Sequence, residues 1–196
     1  MNFDSYEKLG LNKKLDREVI VNGRSNNEPR DTSGDVNYHP CLEAYKREEV
    51  LEGNLVYFKD WSETEIFGGT QRDISVYIPD TSNTKDLKLI VLQDGDSYMN
   101  ENGPVRAISV FYNLLYQKRI DPFAAIFVMP GRPMGMKVNA PGEKRRPEAH
   151  RQRSVEYDSC DDSYLRFMKG ELIPFVSNNL DPVSYTHLTL PTILLV

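Results

Sequence analysis

The chain has 196 residues, 39% of them hydrophobic and 27% charged, with a formal net charge of -5. That length suits one domain with a substantial core, and the acidic balance excludes a general nucleic-acid binder, whose phosphate contacts depend on clustered Lys and Arg. The opening MNFDSYEKLGLNKK has basic residues but no apolar run after them, so neither a secretory signal nor a membrane anchor is expected and the chain reads as cytoplasmic by default.

Residues 1–40 are polar and show no apolar period, which predicts an extended or partly ordered leader. CLEAYKREEV, from Cys41 to Val50, fits a short helix or a surface segment. The ordered domain is expected from about Gly53. Leu55–Phe58 predicts a short strand. In RDISVYIP, Ile74, Val76 and Ile78 alternate with Asp73, Ser75 and Tyr77, the period of a strand with one buried face. Two such strands in succession predict an antiparallel pair at a sheet edge.

Leu87–Leu92, LKLIVL, has five apolar residues in six and no alternation, as in a fully buried parallel strand covered by helices on both faces. It ends in the polar turn Gln93-Asp94-Gly95-Asp96. In open α/β sheets, ligands bind at that carboxyl end. A helix is predicted from about Pro104 to Arg119, with Pro104 in first position and Val105, Ile108, Phe111, Tyr112 and Leu115 on one face. Phe123–Met129, FAAIFVM, is a second continuous apolar strand and completes a βαβ unit whose crossover should be right-handed.

Residues 130–160 lose all period and fill with Pro, Gly and charge, which predicts a long functional loop. A helix follows from Asp161 to Asn178, capped by Asp161 or Asp162 and striped by Leu165, Met168, Leu172 and Phe175. Pro174 should kink it. The fold class is therefore α/β, with a mostly parallel sheet, an antiparallel first strand pair and helices on both faces. Cys41 and Cys160 match no metal spacing and read as free structural thiols. His39 and His150 lack a second ligand at useful spacing and read as surface histidines. No metal or cofactor is expected.

The end of the chain breaks this logic. VSYTHLTLPT, from Val183 to Thr192, carries no charge and resembles the in-frame translation of a transposon-type DNA sequencing adapter. On that reading the natural sequence stops near Pro182 and residues 183–196 are a non-native tail. The competing reading is a genuine edge strand, since YTHLTL alternates.

The pieces GGTQRDISVYIP, LIVLQDGDSY, YNLLYQKRI, DPFAAIFVMPG and RSVEYDSCDDSYLRFMKGELIPFV, in this order, resemble the esterase branch of the α/β-hydrolases that includes enterochelin esterases, feruloyl esterases and esterase D. The resemblance runs from about Glu43 to Leu180. It implies the N-terminal half of an α/β-hydrolase fold over residues 41–182 and a serine esterase acting on a small-molecule ester, with no nucleic acid and no membrane as partner. The nucleophile would lie in a G-x-S-x-G elbow, which the chain lacks. Gly23-Arg24-Ser25-Asn26-Asn27 fails at its last position. Serine, acid and histidine are all expected downstream, so no catalytic residue is present and His187 is not the base.

The resemblance leaves half a site. Gly95 or Asp96 would offer one of two backbone N–H donors to the oxyanion; the alternative is that Gly95 serves only the turn, through a positive φ. Arg153 and Glu156 would border the pocket, where the Arg could orient an anionic or catechol-like substrate. Alternatively they form an Arg-Glu pair that pins the loop to the sheet. Lys144, Arg145, Arg146 and Arg151 fit either phosphate binding or a solvated loop. The chain is thus expected to be an inactive fragment of an esterase, its central sheet edge unpaired and prone to aggregate. A complete non-catalytic ligand-binding module of the same ancestry is the alternative.

Overall fold

The computed structural model describes residues 40–50, 52–81, 85–103, 105–138, 146–180 and 184–189. The leader up to residue 39 with Ser25 and His39, together with Pro104, Lys144 and Arg145, lies outside them. A 3-10 turn at Leu42–Ala44 precedes β1 (Asn54–Trp61), β2 (Thr70–Ile78), β3 (Lys85–Gln93), α1 (Gly95–Met99) and α2 (Ala107–Tyr116). There follow β4 (Phe123–Val128), β5 (Arg132–Pro133), α3 (Pro147–Tyr157), α4 (Ser163–Phe167), a π turn (Met168–Leu172), α5 (Ile173–Asn179) and β6 (Ser184–Thr189). The chain divides into two compact units, Met1–Glu52 with Asp96–Asp121, and Gly53–Gly95 with Pro122–Val196.

The second unit holds the sheet, in the order β1-β2-β4-β3-β6, with β5 paired to β2. The antiparallel pair β1 and β2 stands at the edge, as the alternation predicts. The expected mostly parallel sheet is corrected. β2 sits between β1 and β4 and runs against both, so the parallel pairings are those β3 makes with β4 and β6. β6 pairs with β3 in parallel, Leu188 opposite Leu89, on the side that the fragment reading leaves bare.

Burial sharpens the strand assignments. All six residues of β4 are buried, as a continuous apolar run predicts. β2 is buried on both faces, not one: Ser75 and Tyr77 are covered as well as Ile74 and Val76, the Tyr77 ring lying 6.0 Å from that of Phe123. β3 is less buried than expected. Leu87, Leu89 and Val91 are covered, but Lys88 is exposed and Ile90 and Leu92 only half-buried. The main cluster packs Ile74, Val76, Leu89, Val91, Ile126 and Val128 against Phe167, Met168, Leu172 and Val176. Leu165, expected on that stripe, is exposed, and Phe167 and Val176 take its place. Pro174 stands in the first turn of α5, just after the π turn. Glu171 within that π turn accepts the backbone N–H groups of Glu65 and Ile66, each at 3.1 Å.

Residues 130–160 are not a structureless loop, because α3 fills Pro147–Tyr157. Its only buried residue is Glu156, so it has no apolar stripe for a periodicity argument to find. Among the described residues no helix is long and apolar enough to cross a membrane.

In the first unit α2 starts at Ala107, later than expected, after Arg106 adopts a left-handed φ of 51°; Val105 is exposed. Asn113, not an apolar residue, is the most buried position of α2. Its amide donates to the carbonyls of Glu43 and Tyr45, both at 2.8 Å. Replacing Asn113 with Ala should therefore cost about 1–3 kcal/mol, the penalty for buried carbonyls left unpaired, read as a lower midpoint in urea unfolding.

Candidate functional site

The turn after β3 lies in the second unit as far as Gly95, and Asp96 begins the other. Its geometry reverses one expectation. Asp94, not Gly95, carries the positive φ, at 52°, a region that Asp tolerates better than most residues. Gly95 is required for space. A Cβ there would stand 2.6 Å from the Cβ and 2.7 Å from the carbonyl carbon of Phe127. The turn is therefore pressed against the end of β4, and the first N–H groups of α1, which have no partner within a helix, start from this point.

α3 supplies the opposing wall. Arg153 grips Asp94 with both ends of its guanidinium: Nε lies 3.1 Å from each carboxylate oxygen and Nη2 2.6 Å from Oδ2. The hydrogen bond to Asp94 holds the Arg153 pKa above its ordinary value. Its guanidinium carbon sits 5.1 Å from the ring centre of Tyr157, one helical turn further on.

Glu156 faces elsewhere. Its carboxylate meets Arg72 of β2 at 2.8 and 3.1 Å. It also accepts the Gly131 N–H at 3.1 Å on both oxygens and the Gln152 amide at 2.8 Å. Both side chains of the pair are fully buried. Arg72 donates further to Thr70 Oγ1 at 3.2 Å and lies 4.3 Å over the Phe167 ring. Arg153 and Glu156 are thus not partners of each other: one reaches the turn after β3, the other β2 and the segment between β4 and β5. A Cβ on Gly131 would overlap Glu156 Oε1, so the backbone must come close for the carboxylate to be satisfied.

Beside them, the Tyr157 and Tyr164 rings meet edge to face at 5.1 Å. Burial pushes both phenol pKa values above their ordinary range, and the Asp94 backbone hydrogen-bonds to the Tyr157 phenol. Sequence reasoning missed Arg72, Asp94, Gly131 and Tyr157. One signal was available: Arg72 shares the even phase of Ile74 and Val76, which places a charge on the buried face. Of the other candidates, His150, Arg146 and Arg151 are exposed, Cys41 and Cys160 are free and exposed, and His187 lies in β6. Among the described residues no group of three His, Cys, Asp or Glu could hold a metal.

Two outcomes follow from this geometry. Replacing Glu156 with Gln leaves Arg72 buried and unpaired, which should cost about 3–5 kcal/mol in denaturant unfolding. The double variant Arg72→Met/Glu156→Leu should recover part of that loss. On alkaline titration, the two phenols are neutral in the folded state at pH values where the unfolded chain ionises them. Their contribution is complete below pH of about 10 and lost as pH rises above it, at up to about 1.4 kcal/mol per pH unit for each group. Tyr164→Phe should flatten that slope in unfolding measured between neutral and strongly alkaline pH.

The family described as "Putative esterase" matches residues 65–186. No curated protein matches. Among solved structures, the chain is similar to a CE1 ferulic acid esterase from Anaeromyces mucronatus, at 15% identity and a TM-score of 0.51, covering 77% of this chain and 52% of that one. It is also similar to the ferric enterobactin esterase of Salmonella typhimurium, at 18% identity and a TM-score of 0.50, covering 71% of this chain and 29% of that one. These likenesses show an α/β-hydrolase-like fold. The chain spans about half the length of the first and less than a third of the second.

Proposed function

The chain belongs to the esterase family, and from that premise we propose that it is the N-terminal portion of a carboxylic ester hydrolase acting through an acyl-serine intermediate. The observation that carries this reading is the turn at the carboxyl end of β3, pressed against β4 and held by α3 inside a fold of that family. Such a turn supplies a fixed backbone N–H where charge develops on a carbonyl oxygen, and fixed donors of this kind are the largest single contribution to acyl transfer. Gly95 or Asp96 is the donor. Serine, acid and histidine come from residues that follow this chain, and the 196-residue chain alone is inactive.

The substrate is a small-molecule ester. The similar structure from Anaeromyces mucronatus is a ferulic acid esterase in complex with ferulic acid, and the one from Salmonella typhimurium is a ferric enterobactin esterase; esters of an aromatic acid such as ferulic acid are the class to assay first. The chain as given, and the protein encoded by the uninterrupted reading frame, should be compared on a short acyl ester and on an aromatic one. The longer protein is expected to turn over at least one of them and to lose that activity to a serine-directed fluorophosphonate. Turnover by the 196-residue chain that the same reagent abolishes would refute the assignment, as would a stop codon just after Pro182 in the source DNA.

A further inference from the structure

The structure assigns to Arg153 a task other than substrate binding: it is a positioning residue that sets the geometry of the β3 turn through the Asp94 carboxylate. The inference rests on the esterase reading for its consequence in catalysis, but the clamp itself rests on geometry alone.

Arg153 spends its guanidinium on Asp94. Nε and Nη2 face the two carboxylate oxygens at 2.6–3.1 Å, the side-on fork arrangement that makes an Arg-carboxylate pair directional. Its aromatic face is taken by Tyr157 at 5.1 Å. An Arg engaged in this way has little left for an anionic substrate. Asp94 for its part has reason to need a clamp. It is a non-glycine residue at φ 52°, a conformation that persists when its surroundings hold it. Gly95 next to it has no lateral freedom against Phe127. The direction of the Gly95 N–H therefore follows from how Asp94 is held.

Both contacts come from α3 at i and i+4 spacing, which puts Arg153 and Tyr157 on one face of the helix. One residue before Tyr157, Glu156 ties the same helix to Arg72 and to the Gly131 backbone. A displacement of α3 would thus move the turn.

The test has two readouts. In the protein encoded by the uninterrupted reading frame, Arg153→Met and Asp94→Asn are each expected to lower kcat about 100-fold on an uncharged ester, the scale for loss of one oxyanion donor, with KM within about twofold. The double variant should fall no further than either alone, since the two residues act as one unit. Rates are normalised to serine titrated with fluorophosphonate, so a variant that merely folds poorly does not count as slow. A raised KM with kcat retained would overturn the proposal and return Arg153 to the substrate.

The second readout needs no activity. In the 196-residue chain labelled with 15N-glycine, the Gly95 amide resonance should move in both single variants while that of Gly53, beside Ile78 at the opposite end of β2, stays in place. An unmoved Gly95 resonance overturns the clamp. Absence of turnover in the unaltered longer protein would remove the esterase reading while leaving the Gly95 result to decide the clamp.

Discussion

The structure of the sheet unit depends on one buried ion pair. Arg72 on β2 and Glu156 on α3 are both inaccessible to solvent, and each has further partners: Thr70 and the Phe167 face for the guanidinium, whose Nε is left without a hydrogen bond, and Gly131 and Gln152 for the carboxylate. A buried pair of this kind adds little net stability compared with apolar residues, because desolvation offsets most of the attraction. Its effect is positional. It joins a strand, the segment between β4 and β5 and a helix at one point, and a register error in any of them would strand a charge in the core.

From that point the candidate site is built outward in short steps. Glu156 fixes α3, Arg153 and Tyr157 on α3 fix Asp94, and Asp94 leads into Gly95 at the wall formed by Phe127. The carboxyl ends of parallel strands are open to ligands because the chain must leave the sheet there to cross over. β3 and β4 are the parallel neighbours, and the polar apparatus gathers at their ends. The Asp60, Asp73 and Arg132 cluster is a separate example in the same unit: Arg132 bonds to Asp73 at 2.9 Å and to Asp60, tying the segment after β4 to β1 and β2.

Much of this was legible in the residues, and the parts that were not have a common cause. Continuous apolar runs announced β3 and β4, alternation announced β2, and the Asp94-Gly95 pair announced the turn. What periodicity cannot register is an element held by charge. α3 offers Val155 to solvent and buries a carboxylate, so a scan for apolar stripes sees only loop. The pairing of Arg153 and Glu156 with separate partners was hidden for a similar reason: adjacency in sequence suggests a mutual pair, whereas three residues along a helix point in directions set by what lies across from each. The excess of antiparallel pairings also escaped, because strand order is a long-range property that the β2 sequence does not encode.

The attachment of α3 has a thermodynamic signature. Its detachment would expose the Tyr157 and Tyr164 rings but little other apolar surface, and so would carry a smaller heat-capacity change than the dissolution of the core between the sheet and α4, the π turn and α5. The free energy of docking should then vary nearly linearly with temperature, not along the usual curved profile. Because the cost of stripping water from charged groups falls on warming, the desolvation penalty of the buried pair that holds the helix falls with it. Warming therefore does not single out the charged attachment that holds the turn.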